Sequence, residues 1–236
     1  MNTSISEAMQ KEVAAPNGRE GLSSAGQRRI AQRDRTQKTR DDILLVARDE
    51  FAANGLSGAR VDAIAERTAT SKRMIYYHFG SKEGLYLAVL EDAYAAIRKV
   101  ENELKLGELE PMEAMRRLID FTFDYDEAHP DFIRLVTIEN IHRAEHMRQS
   151  TVLSQLNVSV VSTIESILRR GQESGVFRRE VDPTDLHMLI SSFCFFRVSN
   201  RHTFGTIFGR DLAEPKTRVR HKALLQDSVL ALLGTA

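Results

Sequence analysis

Tryptophan is absent from the 236 residues, proline occurs five times and cysteine once. The lone Cys194 excludes an intramolecular disulfide and a cysteine-based zinc cluster, which suits a reducing cytosol. No apolar run approaches the roughly 18 residues of a membrane span, and the N-terminus lacks the uninterrupted apolar segment of a signal peptide. A cytoplasmic protein with no membrane partner is therefore expected. Net charge is missing too. The 33 Lys and Arg cancel the 33 Asp and Glu, so any nucleic-acid binding must come from local clustering of basic groups. Beyond about residue 108 there is no P-loop, no Gly-x-Ser-x-Gly and no His-Glu-x-x-His. Neither an enzyme nor a cofactor is expected.

What is present is an apolar content of 42%, ample for a sizeable core, arranged almost throughout with helical period. Ile43, Leu44, Ala47 and Phe51 share one helix face, and Asn54-Gly55 supplies a stop. Val61, Ile64 and Ala65 mark a short second helix. Ser71 is a good cap for a third in which Ile75 and Phe79, four apart, point inward. Gly80 ends that helix, Ser81 caps the next, and Leu85, Val89, Ala93 and Ile97 carry an apolar stripe to about Leu104. Pro111, Pro130, Pro183 and Pro215 each suit a first helical turn, opening helices to about Ala128, past Ile138, to about Asn200 and to Leu233. Another helical pattern covers about Thr151 to Glu173. The expected class is all-α. Residues 1–35 read as a mobile basic tail, 36–82 as a helix-turn-helix domain with a long linking helix to about 106, and 107–236 as a larger helical domain.

The segment "SKRMIYYHFGSKEGLY", Ser71 to Tyr86, is the chemically dense one. Two short helices joined by a tight turn, the second opening on a capped, basic, outward face, form the helix-turn-helix that docks in the DNA major groove. Lys72 and Arg73 lie in the first turn, where free amides and the positive dipole end favour phosphate, and either can donate to guanine edges. Met74 can meet a thymine methyl. Tyr76, Tyr77 and His78 carry polar tips on apolar bodies, Lys82 opens the next helix, and Arg60 precedes the second. The basic run from Arg28 to Arg40 can add phosphate or minor-groove contacts or act as a solubilising arm.

"FAANGLSGARVDAIAERTATSKRMIYYHFGSKEGLYLAVL", Phe51 to Leu90, resembles the DNA-binding domain of the TetR family of transcriptional repressors. The resemblance implies that Lys72, Arg73, Met74 and Tyr77 face bases while Ser71, Tyr76, His78 and Lys82 hold phosphates. It also implies a homodimer formed through the last two long helices, a near-palindromic double-stranded operator and release by a small organic effector. Two departures stand out. The turn reads Thr68-Ala69-Thr70 where the family commonly has Ala-Gly-Val, which places alanine where positive φ is expected. The common Thr cap of the second helix is replaced by Ala59 and Arg60, so that helix start is expected to rely on Ser57 or on packing.

In the larger domain, "TIENIHRAEHM" sets Glu139, His142 and His146 at i, i+3 and i+7, one face of a continuing helix. That trio suits a divalent metal, a polar lining for an organic ligand, or plain surface. A metal-dependent enzyme or metal sensor built on it is the rival reading, and a non-DNA interaction module using the aromatic surface a third. Phe123, Val136, Asn140, Phe193, Phe196 and Asn200 complete the candidate effector lining. The aromatics between Leu186 and Gly209 exceed what one core face needs, which points to burial on two sides. "RLVTIENIH" and "VSNRHTF" resemble a branch of the family linked to catabolism of small aromatic or nitrogen-containing compounds.

Overall fold

The computed structural model describes residues 24–234, and every regular element among them is helical. Helix α1, Ser24–Gly58, begins inside the expected tail. Residues 24–35 are helical because the stretch lacks proline and is rich in Gln and Arg, both good helix formers, while residues 1–23 lie outside the described residues. The described residues up to Thr39 belong to one compact unit, on which Arg28, Arg29, Arg33, Arg35 and Lys38 are exposed. Arg40 onward forms the second unit.

In that second unit Gly55 breaks the regularity of α1 at φ 66 and ψ 176. Helices α2 (Val61–Arg67), α3 (Lys72–Phe79) and α4 (Lys82–Glu103) follow. Ile43, Ala47, Phe51, Ile64, Ile75, Leu85 and Tyr86 form a closed core, with Phe51 and Tyr86 meeting edge to face at 5.0 Å. Full burial of side chains this size contributes roughly 1.5–3 kcal/mol each. Leu135 and Leu153, from the larger domain, belong to the same core.

The turn before α3 has the expected left-handed residue, Ala69 at φ 49. Thr70 N–H donates to Ala65 C=O at 3.0 Å and Ala69 N–H to Glu66 C=O at 3.3 Å. Together these are the paired 6→1 and 5→2 bonds of a Schellman cap, in which glycine normally occupies the left-handed site. Ala69→Gly is therefore expected to stabilise the protein by about 1 kcal/mol, read as a rise in urea midpoint at unchanged m-value. The start of α2 is held otherwise than expected: Glu50, on α1, accepts from Arg60 N–H at 3.0 Å. The backbone carbonyl of Ser57 instead accepts from Lys82 Nζ.

The larger domain comprises α5 (Pro111–Ala128), α6 (Pro130–Ile141), α7 (Thr151–Glu173), α8 (Pro183–Ser199), α9 (Arg201–Phe208) and α10 (Pro215–Leu232). Each of its four prolines occupies a first helical turn, as expected. Its core gathers Met115, Leu118, Ile119 and Phe123 of α5 with Ile164 and Ile167 of α7, Leu186 and Ile190 of α8, and Val229 of α10. Arg170 clamps the break between α4 and α5 by donating to the carbonyls of Leu106, Gly107 and Leu109. One helix, α7, reaches the length and hydropathy of a membrane span, contrary to the sequence reading. It lies against α4, α5 and α8 with its apolar stripe in the core.

Candidate DNA interface and effector cavity

Ser71 Oγ accepts from Met74 N–H at 3.2 Å, which fixes the start of α3, and Ile75 is completely buried beneath it. Those two anchors leave Lys72, Arg73, Met74, Tyr76 and Tyr77 on the exposed face. Phe79 is half-buried rather than sealed in the core, with the Arg40 guanidinium 5.3 Å from its ring centre.

The basic groups are not equivalent. Lys72 and Arg60 both reach Asp62 on α2, at 3.1 and 3.5 Å, and the Lys72 hydrogen bond is the main reason that Asp62's carboxyl titrates below its ordinary range. An exposed pair of this kind is weak, so it does not commit Lys72 to Asp62. Lys82 Nζ donates to Ser57 C=O at 3.2 Å and so ties α4 to the end of α1. His78 keeps Nε2 buried with no partner, its ring between those of Tyr77 and Phe79. Arg73 is exposed and makes no ion pair among the described residues.

In the larger domain the trio of Glu139, His142 and His146 does not assemble. Helix α6 stops at Ile141, and Arg143 and Ala144 turn the chain at φ 59 and 56, so the one-face spacing lapses. Glu139 is buried and accepts from the backbone N–H groups of His146 and Met147 and pairs with His146 Nδ1 at 3.1 Å. His142 is exposed, and no group of three potential ligands occurs among the described residues. Glu139 serves the turn. His146 in turn meets the edge of Tyr86, 5.2 Å between ring centres, and burial, reinforced by Glu139, raises that phenol's pKa.

A cavity of about 370 Å³ opens instead between α4, α5, α6 and α8. Of the expected lining it contains Val136 and Asn140. Phe123 is in the core, with the Arg197 guanidinium 4.4 Å from its ring centre. Phe193 and Phe196 line a shallow groove between α8 and α10, and Asn200 terminates α8. Aromatic walls come from Tyr94, Phe121, Phe132 and Phe195.

The charged lining was missed by sequence reasoning. Arg98 and Glu101 are buried and paired with each other, and Asp126 is buried nearby. Burial raises the Asp126 carboxyl to about 7, with Arg98 opposing the shift. Burial also raises Glu101 and lowers His187. A signal existed: Glu101 continues the four-residue stripe of Val89, Ala93 and Ile97, and Asp126 follows Ile119 and Phe123 on the inner face of α5. A charge in the buried register of a helix marks a site or a buried pair.

Residues 43–89 match the family described as bacterial regulatory proteins, tetR family, and residues 111–229 match the Tetracyclin repressor-like C-terminal domain. The chain belongs to the TetR family. It is 37% identical over 206 residues to the HTH-type transcriptional repressor NicS of Pseudomonas putida, covering 87% of this chain and 95% of that protein. The HTH-type transcriptional repressor SCO4008 of Streptomyces coelicolor is 31% identical, over 68% of this chain and 78% of that one. Among solved structures, Streptomyces coelicolor SCO4942 superposes with a TM-score of 0.62 at 28% identity, covering 84% of this chain and 99% of that one. This TetR-family chain is a DNA-binding transcriptional regulator and not an enzyme.

Proposed function

We propose that this TetR-family regulator is a cytoplasmic homodimeric repressor that leaves a near-palindromic operator when a small organic effector enters the cavity beside Asp126. The observation that carries this reading is the double use of α4 and α6. Tyr94, Ile97 and Arg98 of α4 and Ile133, Val136 and Asn140 of α6 line the cavity. Leu85 and Val89 of α4 and Leu135 of α6 pack into the core that holds the recognition helix. Arg48 of α1 strengthens the link, reaching Asp92 on α4 at 2.6 Å and Asp131 on α6 at 3.8 Å. A ligand that moves these helices changes the separation of the two recognition helices, which must stay near 34–36 Å to enter successive major grooves. The coupling is reciprocal, so operator DNA weakens effector binding by the same factor.

The partner copy is assigned to α8 and α10, where Leu189, Phe196, Val219 and Leu224 are exposed along neighbouring stretches. On the DNA side, Arg73 and Lys72 read base edges with Met74 and Tyr77 beside them, and Ser71, Tyr76 and His78 hold backbone phosphates. Arg60 and Lys82 exchange their internal partners for phosphate only on docking. Arg73→Ala is expected to weaken operator binding by about 1–3 kcal/mol and relax selectivity at one base pair. A titration at fixed salt against operator and scrambled DNA checks this, and unchanged affinity and selectivity would reject the recognition-helix assignment.

A further inference from the structure

Several polar hydrogens around the cavity beside α4 are already engaged. Thr122 Oγ1 donates to Leu118 C=O at 2.9 Å, Ser191 Oγ to His187 C=O at 2.7 Å, Ser192 Oγ to Leu189 C=O at 3.0 Å and Asn140 Nδ2 to Val136 C=O at 3.0 Å. Each of these groups donates within its own helix, and Arg98 pairs with Glu101 while its Nε is buried without a partner. Asp126 differs. The residue lines the cavity, is only 5% exposed, and its carboxyl makes no hydrogen bond or ion pair among the described residues. A buried acceptor without a donor is costly, and a molecule that fills the space can supply one. The surrounding walls, Tyr94, Phe121, Phe132 and Phe195, are aromatic and favour a flat ring that offsets or stacks edge to face.

The geometry points to an effector that is a flat aromatic molecule presenting an N–H or O–H donor to the Asp126 carboxyl. Such a ligand satisfies the orphaned acceptor and covers the aromatic walls at once. An isosteric molecule lacking the donor leaves that carboxyl buried and unpaired, and a site built this way rejects the donor-less analogue strongly. This inference rests on the cavity being the effector site, and the experiment separates the two.

Because the chain contains no tryptophan, indole fluorescence excited at 295 nm reports ligand binding free of protein signal. Indole and 1-methylindole are related probes in which a methyl group replaces the N–H hydrogen, so the Asp126→Leu comparison separates loss of the donor from added bulk. The full-length wild type is expected to bind indole at least tenfold more tightly than 1-methylindole, and Asp126→Leu to bring the two within about twofold. Ser191→Phe, which fills the cavity, is expected to exclude both. Equal affinities in the wild type, or no binding of indole, overturn the proposal without reference to any variant. So does a preference that survives Asp126→Leu. Adding operator DNA then tests the underlying reading separately. Selective indole binding that leaves operator affinity unchanged keeps the donor assignment and rejects the cavity as the effector site.

Discussion

Gly84→Ala is expected to abolish operator binding while leaving the larger domain helical. Gly84 lies in the first turn of α4, and its N–H donates to the capping Ser81 Oγ at 3.0 Å. A Cβ at this position would lie 2.1 Å from the backbone carbonyl oxygen of Phe79, the last residue of α3. No rotamer relieves a clash with backbone, so α3 must move away from α4. The recognition helix is then displaced from the core that Ile75 anchors. Overpacking of this kind costs typically 1–3 kcal/mol and occasionally more, and the positional error falls on the residues that must reach base edges. Denaturation together with an operator titration checks it. Wild-type operator affinity in Gly84→Ala would show that the α3–α4 junction tolerates the shift.

Lowering the pH from 7 to 4 is expected to relieve a destabilisation centred on Asp126. Burial pushes its carboxyl up to about 7 in the folded chain, against 3.8 for an ordinary aspartate. Between those values the folded state holds a proton that the unfolded state has released, so this group's contribution to stability falls as pH rises from about 4 to about 7 and is flat outside that window. The slope is at most about 1.4 kcal/mol per pH unit, or roughly 4 kcal/mol across the window. Arg98, Glu101, Tyr94 and His187 line the same cavity, and Arg98 reduces the effect by favouring the carboxylate. Asp126→Asn should remove this slope while the contribution of Glu101 remains. Urea unfolding at several pH values compares the two proteins, and parallel stability profiles would exclude the assignment. The same raised carboxyl makes a donor ligand more stabilising near neutrality, where the unpaired charge otherwise begins to form.

Much of the DNA-binding half was legible because its signals are local. The cap at Ser71, the stop at Gly80 and the pair Ile75 and Phe79 depend on residues within one or two turns, and the expectation that residue 69 takes positive φ was met. The prolines marked four helix starts for the same reason. The trio of Glu139, His142 and His146 was misread because spacing predicts a shared face only while the helix continues. Two left-handed residues at 143 and 144 end it, and neither is a glycine that would have announced the turn. Arg28 to Arg35 belong to a helix rather than to the expected mobile tail because their composition favours helix even though an exposed helix carries no apolar stripe.

The sequence alone determined the helical class, the order of the elements and the chemistry of the exposed recognition face, because propensity, capping and apolar period act over short range. Tertiary packing decided which charges are free and which are spent. Lys82 is committed to Ser57, Glu139 to a turn seven and eight residues on, and Arg48 of α1 to Asp92 of α4. Asp126 is left with an acceptor and no donor at the wall of a cavity. Burial and pairing depend on which helices meet, and that information is not carried by any one of them.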